Sequence, residues 1–219
     1  MEGFAQAIGE AFESLATIRP AIDQFLAELP KPVPLVAPVG RALILDLEGL
    51  DETVEVGLIL VAYNSHTDDL AGTLDSYTGL RDAGVAAKLP GKFSRKMVAG
   101  KKIDKAKIEE LIAQADVIIS HNNGFDRPRF EKLFPSSRRR HWLCSLNGLP
   151  WLNFGFQETG FEYLCERHGI RNSDWHRALP DAQALLELLA QKRGSISYFS
   201  ELLRAGRPQR VKATAAGKH

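Results

Sequence analysis

The chain has 219 residues, of which 44% are hydrophobic and 25% are charged, so it can bury one full core and a small appendage. Its 28 basic and 27 acidic residues give a formal net charge of +1, which excludes the global basic field typical of many nucleic-acid-binding proteins. Two cysteines without paired spacing, no signal-peptide pattern and no run of ~18 apolar residues predict a cytoplasmic protein without disulfides or membrane spans.

The two ends of the chain differ from its middle. Apolar residues recur at spacings of three and four over 4–29, which predicts an N-terminal helical extension over 1–29. Its apolar stripe must be buried against the main domain, a second copy in a homodimer, or a partner protein. Four prolines in 30–39 predict a stiff linker. The basic, small-residue-rich segment 206–219 predicts a disordered tail, which leaves 40–205 as the main domain.

The main domain is predicted to begin with three strands. The unbroken apolar run 42–45 is typical of a strand buried on both faces. Strands over 53–63 and 70–77 follow in close succession, which predicts an antiparallel meander. The segment 78–103 shows no clear period.

Helices and strands are predicted to alternate in the second half of the main domain. Asp104 is expected to cap a helix that ends near residue 115, before a buried strand over 116–120. A helix is expected near Asp126 with Pro128 in its first turn, and a last strand over 141–146. Further helices are expected over 159–169, after His176, and from Ser195 to about residue 204. A meander followed by alternating elements predicts one mixed α/β domain.

Four carboxylates stand at the end of a predicted strand or the start of a predicted helix. Asp46 and Glu48 lie two apart at the end of the first strand, so their side chains project from one face. Asp126 and Asp181 occupy comparable places further on, and such strand ends are where open α/β sheets build their sites. Each carboxylate alone is more typical of a solvated loop or a helix N-terminus than of a metal site. A converging set would repel strongly unless divalent cations compensate it, and all-oxygen ligation favours Mg²⁺ or Mn²⁺.

His176 precedes Asp181 by five residues, a spacing that would splay the two side chains apart on one helix. If His176 instead lies in the loop before the helix, its imidazole can reach over a metal site and accept a proton from water.

Three short motifs resemble those of the DEDDh 3′–5′ exonucleases, the superfamily of the proofreading epsilon subunit of DNA polymerase III, RNase T and oligoribonuclease. The motifs are Asp46-Leu-Glu48, His121-Asn-Asn-Gly-Phe-Asp126 and His176-Arg-Ala-Leu-Pro-Asp181. The resemblance covers residues 41 to about 192. It implies an RNase H-like fold, two divalent metal ions and stepwise release of nucleoside monophosphates from a 3′ end. It also implies that Asp46, Glu48, Asp126 and Asp181 hold the metals and that His176 is the general base.

Substrate contacts are predicted for residues of the same motifs and their neighbours. They are Leu47, Gly49, Leu50, Asn122, Phe125 and Arg127. The family follows its first motif with threonines and a glycine, whereas Gly49-Leu50 follows directly here; Leu50 can still wedge against the terminal base. A DNA substrate with a free 3′ end is favoured. The alternatives are a ribonuclease or oligoribonuclease of the same family, or a catalytically silent binding module on the same fold.

Overall fold

The computed structural model describes residues 39–207, so the predictions for the N-terminal extension, most of the linker and most of the tail lie outside the described residues. Five strands form one mixed sheet in the order β3-β2-β1-β4-β5. They are β1 (Val39–Glu48), β2 (Glu55–Asn64), β3 (Leu70–Leu80), β4 (Val117–Ser120) and β5 (His141–Cys144). The pairs β1–β2 and β2–β3 are antiparallel, whereas β4 lies parallel to both β1 and β5. A small separate hairpin joins β6 (Lys192–Arg193) to β7 (Ile196–Ser197).

Helices cover both faces of the sheet. They are α1 (Arg95–Val98), α2 (Lys105–Gln114), α3 (Asn123–Leu133), α4 (Ser145–Gly148), α5 (Phe161–Arg167), α6 (Ala178–Ala190) and α7 (Tyr198–Gly206), with 3₁₀ turns at Pro135–Arg139 and Trp151–Phe154. Within residues 39–207, no helix combines the length and the apolar character that crossing a membrane requires.

The central strand β1 is buried on both faces because its apolar residues serve two cores. Ala42 and Ile44 face a core that contains Leu185 of α6 and Phe199 of α7. Leu43 and Leu45 face the opposite core, to which α2 and α3 contribute. All four β1 residues have no exposed surface, so the first polar side chains along this strand's buried part are those at its carboxyl end.

The predicted fold class is confirmed: the sheet combines an antiparallel meander with parallel strands and is flanked by helices, an arrangement consistent with an RNase H-like fold. The cap of α2 is also as predicted, since the Asp104 side chain accepts a hydrogen bond from the Lys107 amide at 3.0 Å.

Helix α3 starts near the second motif, as predicted, but two details of the helix starts are wrong: the place of Pro128 and the cap of α7. Helix α3 begins at Asn123, three residues before Asp126, because the Asn122 side chain accepts the Gly124 amide at 3.2 Å and caps the helix. Pro128 therefore lies inside α3 instead of in its first turn. Ser195 lies in the β6–β7 turn, and the cap of α7 is Ser197, whose Oγ accepts the Ser200 amide at 3.1 Å.

Candidate active site

A cavity of about 520 Å³ lies at the carboxyl end of β1. Its lining includes every residue predicted for catalysis: Asp46, Glu48, Asp126, His176 and Asp181. These side chains come from three separate stretches of the chain, and the fold brings them to one place because β1 and β4 are parallel neighbours. The carboxyl ends of such strands share one edge of the sheet.

Asp46 and Glu48 project from the last rungs of β1. In the ladder with β2, Asp46 pairs with Gly57 and Glu48 pairs with Glu55. Their alternation with Leu45 and Leu47, which face the opposite core, puts both carboxylates on the α6 side of the sheet.

Asp126 reaches the cavity from the first turn of α3, the helix that follows β4. Its side chain is 4% exposed. Burial raises its pKa to about 7, although hydrogen bonds from Ser120 and from the main chain of Leu47 and Asn122, together with the charge of Arg129, act in the opposite direction.

Asp181 is held in place from two sides in the first turn of α6. Its Oδ1 accepts a hydrogen bond from Asn172 Nδ2 at 2.5 Å, and its Oδ2 accepts one from the His176 main-chain amide at 3.0 Å. Burial raises its pKa to about 6 despite these two bonds. Helix α6 can approach β2 this closely because Gly57 lacks a side chain: a Cβ there would lie 2.2 Å from the Ala178 carbonyl carbon.

His176 lies in the loop before α6, as predicted, and its backbone has φ of +64°, an unusual value for a non-glycine residue. The imidazole is 61% exposed, and its Nε2 lies 3.6 Å from Oε1 of Glu162. The ring thus stands at the cavity mouth, reachable by water, while its main chain is bonded to Asp181.

The carboxylates repel one another strongly. Burial and the neighbouring charges of Asp126, Asp181 and Glu48 raise the pKa of Asp46 well above its usual value. Burial, and then the charge of Asp181, raises the pKa of Glu48 to about 7. Asp46 is partly exposed as a residue, yet its Oδ2 is buried and has no hydrogen-bond partner within residues 39–207.

This arrangement fits a divalent cation. A buried carboxylate oxygen without a donor, beside carboxylates of raised pKa, is an environment that a cation would stabilise. Glu48, His176 and Asp181 each offer a ligand atom, and these atoms lie within 4.8 Å of one another. The acidic cluster could therefore hold a metal ion.

The residues predicted to contact substrate divide into two groups. Leu47, Asn122 and Phe125 line the cavity, whereas Gly49, Leu50 and Arg127 do not belong to its lining. Leu50 is 56% exposed on the loop after β1. The Arg127 guanidinium is paired with Glu131 at 2.7 Å.

The loop after β1 is fastened to α3 by an arginine that sequence reasoning did not single out for this role. Arg129 donates from Nη2 to the Leu50 carbonyl and from Nη1 to the Phe125 carbonyl, each at 3.0 Å. Its guanidinium also stacks 3.8 Å from the centre of the Phe125 ring. One side chain therefore orients two residues predicted to contact substrate.

Other cavity residues were also missed. The His121 ring forms hydrogen bonds through Nδ1 with Ser145 Oγ at 2.8 Å and through Nε2 with the Thr159 carbonyl at 3.1 Å. Burial lowers the pKa of His121 to about 4. It is therefore neutral near pH 7, with Nε2 donating to the carbonyl. Phe161 and Trp175 meet edge to face at the cavity, with ring centres 5.5 Å apart. The second motif contains His121, but its partners Ser145 and Thr159 are 24 and 38 residues away in sequence, so the motif does not reveal them.

No protein-family model and no curated protein matches the sequence. Among solved structures, the chain is similar to one described as "3'-end specific recognition of histone mRNA stem-loop by 3'-exonuclease", with a TM-score of 0.48 and 13% sequence identity. The match covers 80% of this chain and 70% of that chain. Similarity at this level is too low to transfer any property of that protein to this one.

Proposed function

We propose that the protein is a metal-dependent 3′–5′ exonuclease that hydrolyses nucleic acid, with DNA favoured, and releases nucleoside monophosphates. The observation that carries this proposal is the convergence of four carboxylates around a buried Asp46 oxygen without a hydrogen-bond donor in the described chain. The choice of a 3′ end rests on the resemblance of the three sequence motifs to the DEDDh exonucleases.

Asp46, Glu48, Asp126 and Asp181 are proposed to hold two divalent cations, Mg²⁺ or Mn²⁺, because all-oxygen sites prefer these hard ions. When bound, such ions stabilise the charge that develops on the attacking and leaving oxygens of a phosphoryl displacement. The Asn172 and His176 hydrogen bonds to Asp181 orient its two oxygens before any ion binds. Pre-oriented ligands lower the cost of assembling the site.

His176 is proposed to accept the proton of the attacking water. Its imidazole stands at the solvent side of the cavity, where water reaches it, and an imidazole nitrogen can accept a proton. The Glu162 carboxylate, 3.6 Å from Nε2, is placed to stabilise the imidazolium that forms. The proton can then pass from His176 to solvent.

The substrate's terminal nucleotide is proposed to lie against Leu47, Asn122 and Phe125, with Phe161 and Trp175 facing it across the cavity. Aromatic faces stack on any base, so this lining favours broad sequence tolerance. Leu50 is proposed to wedge against the last base from the cavity's outer side, as its exposed position on the Arg129-fastened loop allows.

A ribonuclease or oligoribonuclease activity is the second candidate. It is favoured by the ion pairs of three basic side chains, because these pairs leave less positive charge for binding a long substrate. Arg127, Lys132 and Arg177 pair with Glu131, Glu52 and Glu55, respectively, at distances of 2.7, 2.5 and 2.6 Å. Cations already bound to carboxylates contribute less to holding a long phosphate backbone.

The test uses 5′-labelled DNA and RNA of several lengths, single- and double-stranded, with Mg²⁺, Mn²⁺ or chelator, resolved to single nucleotides. We expect a ladder that shortens one nucleotide at a time from the 3′ end and disappears in chelator. The relative rates decide between DNA and RNA and between long and short substrates. Internal cleavage, or binding without cleavage by folded protein, would contradict the proposal; the second result would favour the silent binding module.

A further inference from the structure

Glu55 is a buried carboxylate next to the acidic cluster, yet it has a full set of partners. It lies opposite Glu48 in the β1–β2 ladder and is 1% exposed. Its carboxylate accepts hydrogen bonds from Arg177 Nε at 3.1 and 3.0 Å and from Arg177 Nη2 at 2.6 Å. It also accepts the main-chain amide of Ala178 at 2.9 Å. A charged group this deep in the fold requires such pairing.

The partners of Glu55 lie between two residues of the candidate site, His176 and Asp181. Arg177 directly follows His176, and Ala178 is the first residue of α6, which carries Asp181. Glu55 therefore caps the N-terminus of α6 from a neighbouring strand, since the Arg177 side chain itself makes no cap hydrogen bond.

Two pairs of the β1–β2 ladder, separated by the pair Leu47–Val56, connect both halves of the acidic cluster. Gly57 pairs with Asp46 and contacts Ala178, while Glu55 pairs with Glu48 and binds Arg177 and Ala178. Strand β2 thus links the carboxylates of β1 to the start of α6.

We propose that Glu55 and Arg177 form a positioning clamp that sets where Asp181 and His176 stand relative to Asp46 and Glu48. The catalytic consequence rests on the proposed exonuclease function, whereas the effect on cation binding does not. Neither residue lines the cavity, so the clamp acts through the residues beside it. The rival explanation is a pair that serves only the stability of the fold.

Arginine suits this role better than lysine. Its planar fork engages both oxygens of one carboxylate and fixes the direction of the chain at residue 177, whereas an ammonium group is a point charge on a flexible stem. Beside it, His176 has its φ of +64°, a conformation that neighbouring contacts must maintain. Arg177→Lys keeps the charge and removes the fork.

The test compares full-length Glu55→Gln and Arg177→Lys with wild type by steady-state kinetics and by calorimetric Mn²⁺ titration. We expect kcat to fall roughly 10- to 100-fold with little change in KM, and Mn²⁺ affinity to fall by a similar factor, as for other residues that orient metal ligands. Folded variants with wild-type kcat and Mn²⁺ affinity would overturn the clamp.

Asp68→Asn is the matched control, because Asp68 is also 1% exposed and also binds arginines, Arg204 and Arg207. It lies just beyond the opposite end of β2 from Glu55. This control should lower thermal stability while leaving Mn²⁺ affinity and kcat unchanged. An equal loss of both quantities in Asp68→Asn would overturn a specific role for Glu55 and Arg177.

If the single variants unfold, the double variant Glu55→Leu/Arg177→Met is used to measure kcat and Mn²⁺ affinity without the clamp. Replacing a buried ion pair by apolar residues of similar size commonly preserves stability. The leucine side chain at position 55 cannot accept a hydrogen bond from the Ala178 amide. We therefore expect the double variant to fold but to have a low kcat and weak Mn²⁺ binding. Wild-type values of both quantities would overturn the clamp. A wild type that binds Mn²⁺ but cleaves no nucleic acid would refute the exonuclease, while reduced Mn²⁺ affinity in the variants would still support the clamp.

Discussion

Neutralising Asp46 should stabilise the metal-free protein while destroying its proposed activity. In chelator at pH 8, the fold must hold Asp46, Glu48, Asp126 and Asp181 close together. Burial raises all four pKa values, and repulsion by neighbouring carboxylates raises those of Asp46 and Glu48 further. Asp46→Asn removes one charge from the set and keeps the shape of the side chain. Stability sacrificed for function in this way is common at active sites.

The size of the effect follows from the shifted pKa values. For Asp126, a folded pKa of about 7 against an ordinary value of 3.8 corresponds to about 4 kcal/mol of destabilisation once the group is ionised. Because the folded pKa is the higher one, the folded state retains its protons longer than the unfolded state. The metal-free protein should therefore lose stability as pH rises from about 4 to about 7.

Asp46→Asn removes the charge of Asp46 and its repulsion of the other three carboxylates. We expect a gain of about 2 to 4 kcal/mol at pH 8, or roughly 4 to 16 °C in Tm. The gain should shrink towards pH 5, where the carboxyl groups of the folded wild type are largely protonated. Mn²⁺ should stabilise the wild type more than the variant, because it binds the folded state of the wild type more tightly.

The assay is thermal and urea unfolding of wild type and Asp46→Asn at pH 5 and pH 8, in chelator and with Mn²⁺. Asp75→Asn is the matched control: the same chemical change falls on an exposed carboxylate that pairs with Lys107 Nζ at 2.7 Å and has a lowered pKa. It should bring no gain at pH 8. An Asp46→Asn protein that is less stable than wild type by the same amount at both pH values would refute the reasoning.

Three further predictions concern the proposed nuclease activity. His176→Ala should cost roughly 10²–10⁴ in kcat and flatten the rise of rate with pH, because a general base must be neutral to accept a proton; an unchanged pH–rate profile would remove His176 from the mechanism. Arg129→Met should raise KM about fivefold, the worth of about one hydrogen bond, since Leu50 loses its tether; an unaltered KM would separate this loop from substrate binding. A chain that starts near Val39, the first residue of β1, should still digest oligonucleotides, because 40–205 is proposed to be the catalytic domain; a folded but inactive product by circular dichroism and gel assay would contradict that.

The parts of the site that depend on local pattern could be predicted from sequence. The period of two along a strand places Asp46 and Glu48 on one face, and the buried run before them identifies the strand end. Helix-start chemistry likewise predicts Asp104 as the cap of α2 and places Asp126 and Asp181 near the starts of their helices. These features need only the spacing of neighbouring residues.

The parts that depend on pairing between distant segments could not be predicted. Glu55 reads as a carboxylate at the start of an apolar strand, and only the β1–β2 register and its bond to Arg177, 122 residues away, give it a role. The isolated carboxylate between Val54 and Val56 was the one available signal. The place of Trp175 in the cavity lining could not be predicted either, because sequence does not reveal which aromatic side chains face a cavity.

The most direct test of the central claim is the digestion of a 5′-labelled oligonucleotide followed against Mn²⁺ concentration, with wild type and Asp181→Asn side by side. The metal-dependent exonuclease proposed here predicts that wild type shortens the strand one nucleotide at a time from its 3′ end, that the rate rises with Mn²⁺ and vanishes in chelator, and that Asp181→Asn leaves the strand intact. Undiminished single-nucleotide shortening in chelator, or by Asp181→Asn, would contradict it.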